Sequence, residues 1–169
     1  IFEGLGDRWH LLDTRPKIYP CCHYLQAFID CAAVLREANA FDTGAISDIR
    51  CEVAQGSVNM ICDPWEAKIA PVTGYDARFS LPYAVCVMLE KGRAGLAEFE
   101  DESIGDPGVA QLMPKVTYEV NPAFSVMDMP GRVTITFADG RKTTHLIPKV
   151  RGDSDVPFSE AEILDKFRT

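Results

Sequence analysis

Asp76-Ala77-Arg78-Phe79-Ser80-Leu81-Pro82-Tyr83 is the stretch from which the rest of this chain can be read. It is the entrance to a helix. Ser80 is a good N-cap, Pro82 falls in the first turn where its missing N–H loses no bond, and Leu81, Val85, Met88 and Leu89 supply an apolar stripe. Gly92 closes the helix at the position where a left-handed residue is wanted. The unpaired N–H groups of such a first turn, with the Arg78 guanidinium beside them, favour a carboxylate or phosphate. A bare helix cap with a surface arginine is the plain alternative.

A second helix entrance lies upstream, at Lys17-Ile18-Tyr19-Pro20-Cys21-Cys22-His23. From Pro20 to about Ala38, the positions Cys21, Leu25, Phe28, Ile29 and Ala32 recur at helical spacing, and the opposite stripe carries His23, Gln26 and Asp30. Ile49, Cys51 and Val53 alternate with Arg50 and Glu52, the pattern of a half-buried strand. Residues 54–77 contain several breakers and read as a long excursion with one helical turn near Ser57 to Ile61. After Gly92 come short helical pieces near Glu102 and from Asp106 to Met113. Three strands follow, marked by Val116, Tyr118 and Val120, by Val133, Ile135 and Phe137, and by Thr144 and Leu146. Asp139-Gly140 between the last two predicts a type I′ hairpin turn. Ser159, with Glu162 three residues on, is a capping box for a final helix reaching Arg168. Together these predict an α+β domain with an antiparallel sheet of about four strands and helices packed on one face.

Composition narrows the function. At 169 residues, 47% hydrophobic and 25% charged, the chain can bury a real core. No apolar run approaches the ~20 residues of a bilayer span, so no membrane partner is expected. The net charge of -8 argues against nucleic acid, which calls for a basic face. It does not exclude an anionic small molecule, because short-range pairing with Lys17, Lys68 and Arg78 outweighs a screened net field. The six cysteines, Cys21, Cys22, Cys31, Cys51, Cys62 and Cys86, show no metal-binding spacing and read as reduced thiols of a cytoplasmic protein. No metal or other cofactor is expected.

The K-x-Y-P-x-C-H entrance at residues 17–23, paired with P-x-x-G-x-x-A-R-F-S-L-P-Y at 71–83, resembles the C-terminal half of the MmgE/PrpD family. That family includes 2-methylcitrate dehydratases, cis-aconitate decarboxylases and iminodisuccinate epimerases. Gly4-Leu5-Gly6, Trp9, Cys62 to Lys68, Gly92, Phe99 and Lys166-Phe167 extend the resemblance over nearly the whole chain. It implies a lid-like small domain over residues 17–155, preceded by a connector at 1–16 with apolar anchors Trp9, Leu11 and Leu12. It also implies a helix at 156–169 returning toward a large N-terminal helical domain. That the chain opens on Ile1 rather than methionine fits the back part of a longer protein, with a homodimer as the intact assembly.

The resemblance also implies roles. Spacing alone makes Lys17 a solvated lysine; the family places the matching lysine in the cleft between domains, to neutralise a substrate carboxylate or exchange a proton. His23 titrates near neutrality and is a candidate general acid or base, or else a half-exposed helix histidine. The family's decarboxylases carry a histidine one residue earlier, where this chain has Cys22, a departure that weighs against decarboxylase chemistry. Tyr83 is either a phenolic donor beside Arg78 and Ser80 or a buried structural tyrosine. Arg78, Ser80, Lys68 and Cys22 are the candidate substrate contacts, with Lys68 and Tyr75 at the rim. Asp63-Pro64-Trp65 reads as a turn with a packing anchor, His145 as strand surface and His10 as connector. The expected reaction is proton abstraction next to a carboxylate of a di- or tricarboxylate followed by loss of water. Epimerisation or decarboxylation in the same family, and a non-catalytic anion-binding module, are the alternatives.

Overall fold

A computed structural model describes residues 4, 6, 7, 9, 14–39, 42–152 and 154–168. His10, Leu11 and Leu12 of the expected connector lie outside the described residues. The centre is a four-stranded sheet of β1 (Ile46–Val53), β2 (Val116–Val120), β3 (Gly131–Phe137) and β4 (Lys142–Ile147), in the order β2-β1-β3-β4. β1 with β3 and β3 with β4 are antiparallel, whereas β1 and β2 run parallel, with Cys51 opposite Tyr118. The antiparallel sheet read from the sequence therefore needs one correction. The long stretch between β1 and β2 is a helical crossover, and such a connection returns the chain to the same end of the sheet.

The sheet has one apolar and one polar face. Ile49, Cys51, Val53, Val133, Ile135 and Phe137 alternate into the core. The opposite face carries Arg132, whose Nη1 donates to both carboxylate oxygens of Glu52 at 2.9 and 2.8 Å, and Thr134 against Thr144 at 3.0 Å. The hairpin between β3 and β4 differs from the expected type I′. Gly140 N–H donates to Phe137 O at 2.9 Å and only Gly140 has positive φ, at 85°. That is a type I turn closed by a left-handed glycine, the three-residue hairpin.

Among the described residues seven α-helices accompany the sheet: α1 (Gln26–Ala38), α2 (Val58–Ile61), α3 (Trp65–Lys68), α4 (Gly74–Ala77), α5 (Leu81–Lys91), α6 (Pro107–Leu112) and α7 (Glu160–Arg168). The excursion at 54–77 thus holds three helical turns instead of one. Trp65 is the packing anchor expected there, its ring 4.9 Å from that of Tyr118. α1 lies across β3 and β4 and against α5 through Phe28, Ile29 and Leu35. Burying each such side chain stabilises the fold by about 1.5–3 kcal/mol. α5 departs from the expected single stripe, since every residue from Leu81 to Leu89 is buried. α1 starts later than expected. Cys22 is extended (φ -55°, ψ 140°), His23–Leu25 form a 3-10 turn, and the α-helix begins at Gln26. The bent segment leading into it, residues 17–22, is the part of the fold that matters for the site.

Candidate active site

The two helix entrances picked out from the sequence are joined in space. The extended backbone at Cys22 turns its N–H toward the other entrance, where it donates to the carbonyl of Arg78 at 2.8 Å. Ser80, the N-cap of α5, accepts the Tyr83 N–H at 3.0 Å and donates to the carbonyl of Lys68 at 2.6 Å, which pulls the end of α3 into the same corner. Lys17, Cys22, His23, Lys68 and Arg78 are thereby gathered around the starts of α1 and α5. The electrostatics agree with the geometry: the Cys22 thiol feels the positive charges of Lys17 and Lys68, and the His23 imidazole those of Lys17 and Arg15.

Several polar groups in this corner have no internal partner. Nε2 of His23 and Nε of Arg78 are buried with no hydrogen bond among the described residues, and the Arg78 guanidinium makes a long contact, Nη2 to Phe99 O at 3.5 Å. Lys17 is exposed, and its ammonium meets no carboxylate among the described residues. A buried guanidinium nitrogen left unpaired is costly within a protein, and an added anion is the natural complement. Beside the corner opens a depression of about 500 Å³ whose wall includes Met60, Lys68, Tyr75, Asp76 and Phe79. Lys68 reaches across it to the carbonyl of Met60 at 2.9 Å.

Comparison with known proteins shows the family. The sequence profile of the MmgE/PrpD C-terminal domain matches residues 19–169. The chain belongs to the MmgE/PrpD family. A stretch of 102 residues is also 29% identical to cis-aconitate decarboxylase of Homo sapiens, covering 58% of this chain and 21% of that protein.

Within this MmgE/PrpD domain the seven sequence candidates fall into two groups. Lys17, Cys22, His23 and Lys68 lie around one corner, and Arg78 joins it through its backbone carbonyl while its guanidinium lies by Phe99 O. Ser80 is fully buried, with its hydroxyl committed to Tyr83 N–H and Lys68 O, so it builds the corner without being open to it. Tyr83 is also fully buried. Its ring packs edge-on against Phe99 at 5.5 Å and its hydroxyl donates to the carbonyl of Glu98. The structure places it as the buried tyrosine of the two readings. Its burial also pushes the phenol up to about 12, away from acid–base work near neutrality.

The remaining ionisations are set by burial. His23 is held below the ordinary histidine value by desolvation first, then by Lys17 and Arg15, so it is a neutral imidazole near pH 7. Burial raises the Cys22 thiol despite both lysines, and pushes Cys21 up to about 12, so both stay protonated. All six cysteines are free and buried, and the described residues contain no group of side chains suited to hold a metal ion. Among the described residues, no helix is long and apolar enough to cross a membrane.

Sequence reasoning missed Gln26 and Asp30 as structural determinants of this corner. Both lie on the polar stripe noted beside His23, yet they are 3% and 7% exposed. Gln26 grips the backbone of Tyr19 at both ends, accepting from its N–H and donating to its carbonyl at 3.1 Å each. A polar stripe that includes an amide and a carboxylate at i and i+4 on a helix with no solvent behind it is the signal that was available.

Proposed function

We propose that this domain forms the anion-binding wall of a cofactor-independent lyase of the 2-methylcitrate dehydratase type, acting on a di- or tricarboxylate. The observation that carries it is the gathering of Lys17 and Lys68 beside the Arg78 backbone, with Lys17 and the Nε of Arg78 having no carboxylate of their own among the described residues. In an acidic chain such uncompensated cations call for an acidic ligand. The reaction removes a proton from the carbon next to a carboxylate, moving the electron pair onto that carboxylate, and then expels hydroxide, which leaves as water once protonated. Lys17 and Arg78 hold the carboxylate on which charge develops; fixed donors of this kind contribute about 3 kcal/mol each to such a transition state. Neutral His23, with Nε2 uncommitted, serves proton transfer. Cys22, a protonated thiol, is a neutral neighbour to the substrate. Among the described residues no strong base for a carbon acid stands in this corner, so we assign it to a helical N-terminal domain across the cleft, in a homodimeric whole. The isolated chain is accordingly expected to be inactive.

Decarboxylation is the second reading. The similarity to human cis-aconitate decarboxylase favours it, and Cys22 at the position of the decarboxylases' histidine weighs against it.

The test is an assay of the full-length protein with 2-methylcitrate and citrate, following the conjugated double bond by ultraviolet absorbance, beside Lys17→Ala and Arg78→Ala. Turnover that both variants abolish supports the dehydratase reading. Turnover that survives both removes this corner from the active site. Turnover of cis-aconitate or iminodisuccinate alone moves the assignment to decarboxylation or epimerisation.

A further inference from the structure

The segment that carries Lys17 is held by the far end of the chain. Arg151 sits beyond β4 and binds Asp30 of α1 bidentately, Nε to Oδ2 and Nη2 to Oδ1 at 2.8 Å each. The same Asp30 Oδ1 accepts the phenol of Tyr19 at 2.8 Å, and Gln26, one turn earlier on α1, pins the Tyr19 backbone. Arg151 is itself seated by Glu162 of α7, through its Nη1, and by the Phe158 ring 5.1 Å from its guanidinium. α7 is fixed in turn by the Ser159–Glu162 capping box, in which Ser159 N–H donates to Glu162 Oε2 at 2.9 Å and Ser159 Oγ accepts the Glu162 N–H at 3.2 Å.

Two more contacts converge on the same few residues. Lys166 of α7 donates to the carbonyl of Ile18 at 2.7 Å. Gly152, at φ +110°, brings its backbone so close to the segment that a Cβ there would lie 2.9 Å from the carbonyl of Pro16. Residues 16, 18 and 19 are thus each tied to the carboxy-terminal segment, directly or through Asp30, while Lys17 between them projects outward with its ammonium uncommitted.

We propose that Arg151, with Asp30 and Tyr19, is a positioning residue for the substrate-binding segment: the carboxy-terminal clamp fixes residues 16–22, and with them Lys17 and His23, where Cys22 N–H meets the Arg78 carbonyl. This rests on the lyase reading for its functional consequence, but the clamp itself is a mechanical claim that can be read without turnover. A bidentate guanidinium–carboxylate pair is the side-chain arrangement that resists rotation, and here it connects elements far apart in sequence across a largely buried site. An ordinary fold-stabilising ion pair would act on the whole domain; a clamp acts on one segment.

The experiment is amide hydrogen exchange on the full-length protein for wild type, Tyr19→Phe, Arg151→Ala and Arg151→Lys, combined with steady-state kinetics. Tyr19→Phe keeps the Arg151–Asp30 pair and cuts only its link to the segment, so it decides the matter even if Arg151→Ala fails to fold. The expected result is exchange at Cys21 and Cys22 at least tenfold faster in Tyr19→Phe and Arg151→Ala, with β1 and β3 unchanged and partial recovery in Arg151→Lys. In kinetics, kcat falls about tenfold with KM changed less than threefold. Unchanged exchange at Cys21 and Cys22 in Tyr19→Phe overturns the proposal, and so does faster exchange spread evenly over the sheet. If the wild-type protein turns over none of the acids tested, the lyase reading fails while the exchange result still judges the clamp.

Discussion

The two ends of α5 teach opposite lessons from similar raw material. Each opens beside a depression of nearly the same volume, about 500 Å³ at the amino end and about 490 Å³ at the carboxyl end, and each is rich in charged side chains. At the carboxyl end the charges are spent on one another. Lys91 pairs with Asp106, Arg93 meets Glu98 at 2.6 Å, Glu98 also accepts Gly95 N–H at 2.9 Å, and Glu90 accepts the Thr43 hydroxyl at 2.5 Å. At the amino end Lys17, Arg78 Nε and His23 Nε2 have no such partners among the described residues. Volume does not separate the two ends. Uncompensated polar groups do, and leaving such groups unmatched costs stability.

The sharpest break between the two ends should be catalytic. Lys17→Ala in the full-length protein is expected to lower kcat/KM by about a hundredfold or more, the usual effect of removing one charged donor from a developing anion, with the thermal midpoint shifted by less than about 2 °C. Equal losses on both measures would make Lys17 a structural residue and dissolve the contrast.

Tyr83→Phe should do the reverse. Deleting the phenol leaves the buried Glu98 carbonyl without that donor, for a loss of about 1–2 kcal/mol in chemical denaturation, while activity stays within about threefold of wild type. A collapse of activity without a loss of stability would bring Tyr83 back as a catalytic phenol.

pH supplies a smaller effect of definite sign. His23 has its folded pKa held below the ordinary value by burial, Lys17 and Arg15, so the unfolded chain binds its proton first. Stability should therefore be complete above about pH 6.5 and fall as the pH drops through that value toward the depressed one. His23→Gln should flatten this slope in thermal melts between pH 7 and 5. Glu162, held down at about 2 chiefly by Arg151, acts lower, its contribution present above about pH 4.5 and lost as the pH falls toward 2.

The smallest effect belongs to the carboxyl end's surface pair. Lys91→Gln removes the partner of Asp106, with Lys91 37% exposed, and after screening the cost should stay below about 1 kcal/mol. A larger loss would show that the charges at that end do more than satisfy one another.

Much of this was legible in the sequence because it is local. The caps at Ser80 and Ser159, the α5 end at Gly92 and the alternation in β1 and β3 each depend on residues a few positions apart. What failed to show depends on partners far along the chain. The direction of β2 is decided by a crossover whose path is set by packing, and the turn at Asp139-Gly140 by a strand register that the dipeptide does not encode. Tyr83 could not be oriented because Leu81 to Leu89 has no polar face to show which side is inward. Asp30 read only as a member of the stripe opposite the core, because Arg151, its partner, lies 121 positions away. The candidate site was half visible: the residue types at both entrances were plain, but their union through Cys22 N–H and Arg78 O was not.

The most direct measurement is a titration of the full-length protein with citrate, observed by NMR at the His23 imidazole and the Arg78 Nε–H, in wild type and in Lys17→Ala. Binding at the uncompensated corner should shift both signals, raise the His23 pKa as a polyanion favours the imidazolium, and vanish in Lys17→Ala. Shifts confined to the Tyr83 and Glu98 end, or an unchanged response in Lys17→Ala, would contradict the assignment of this corner as the anion site.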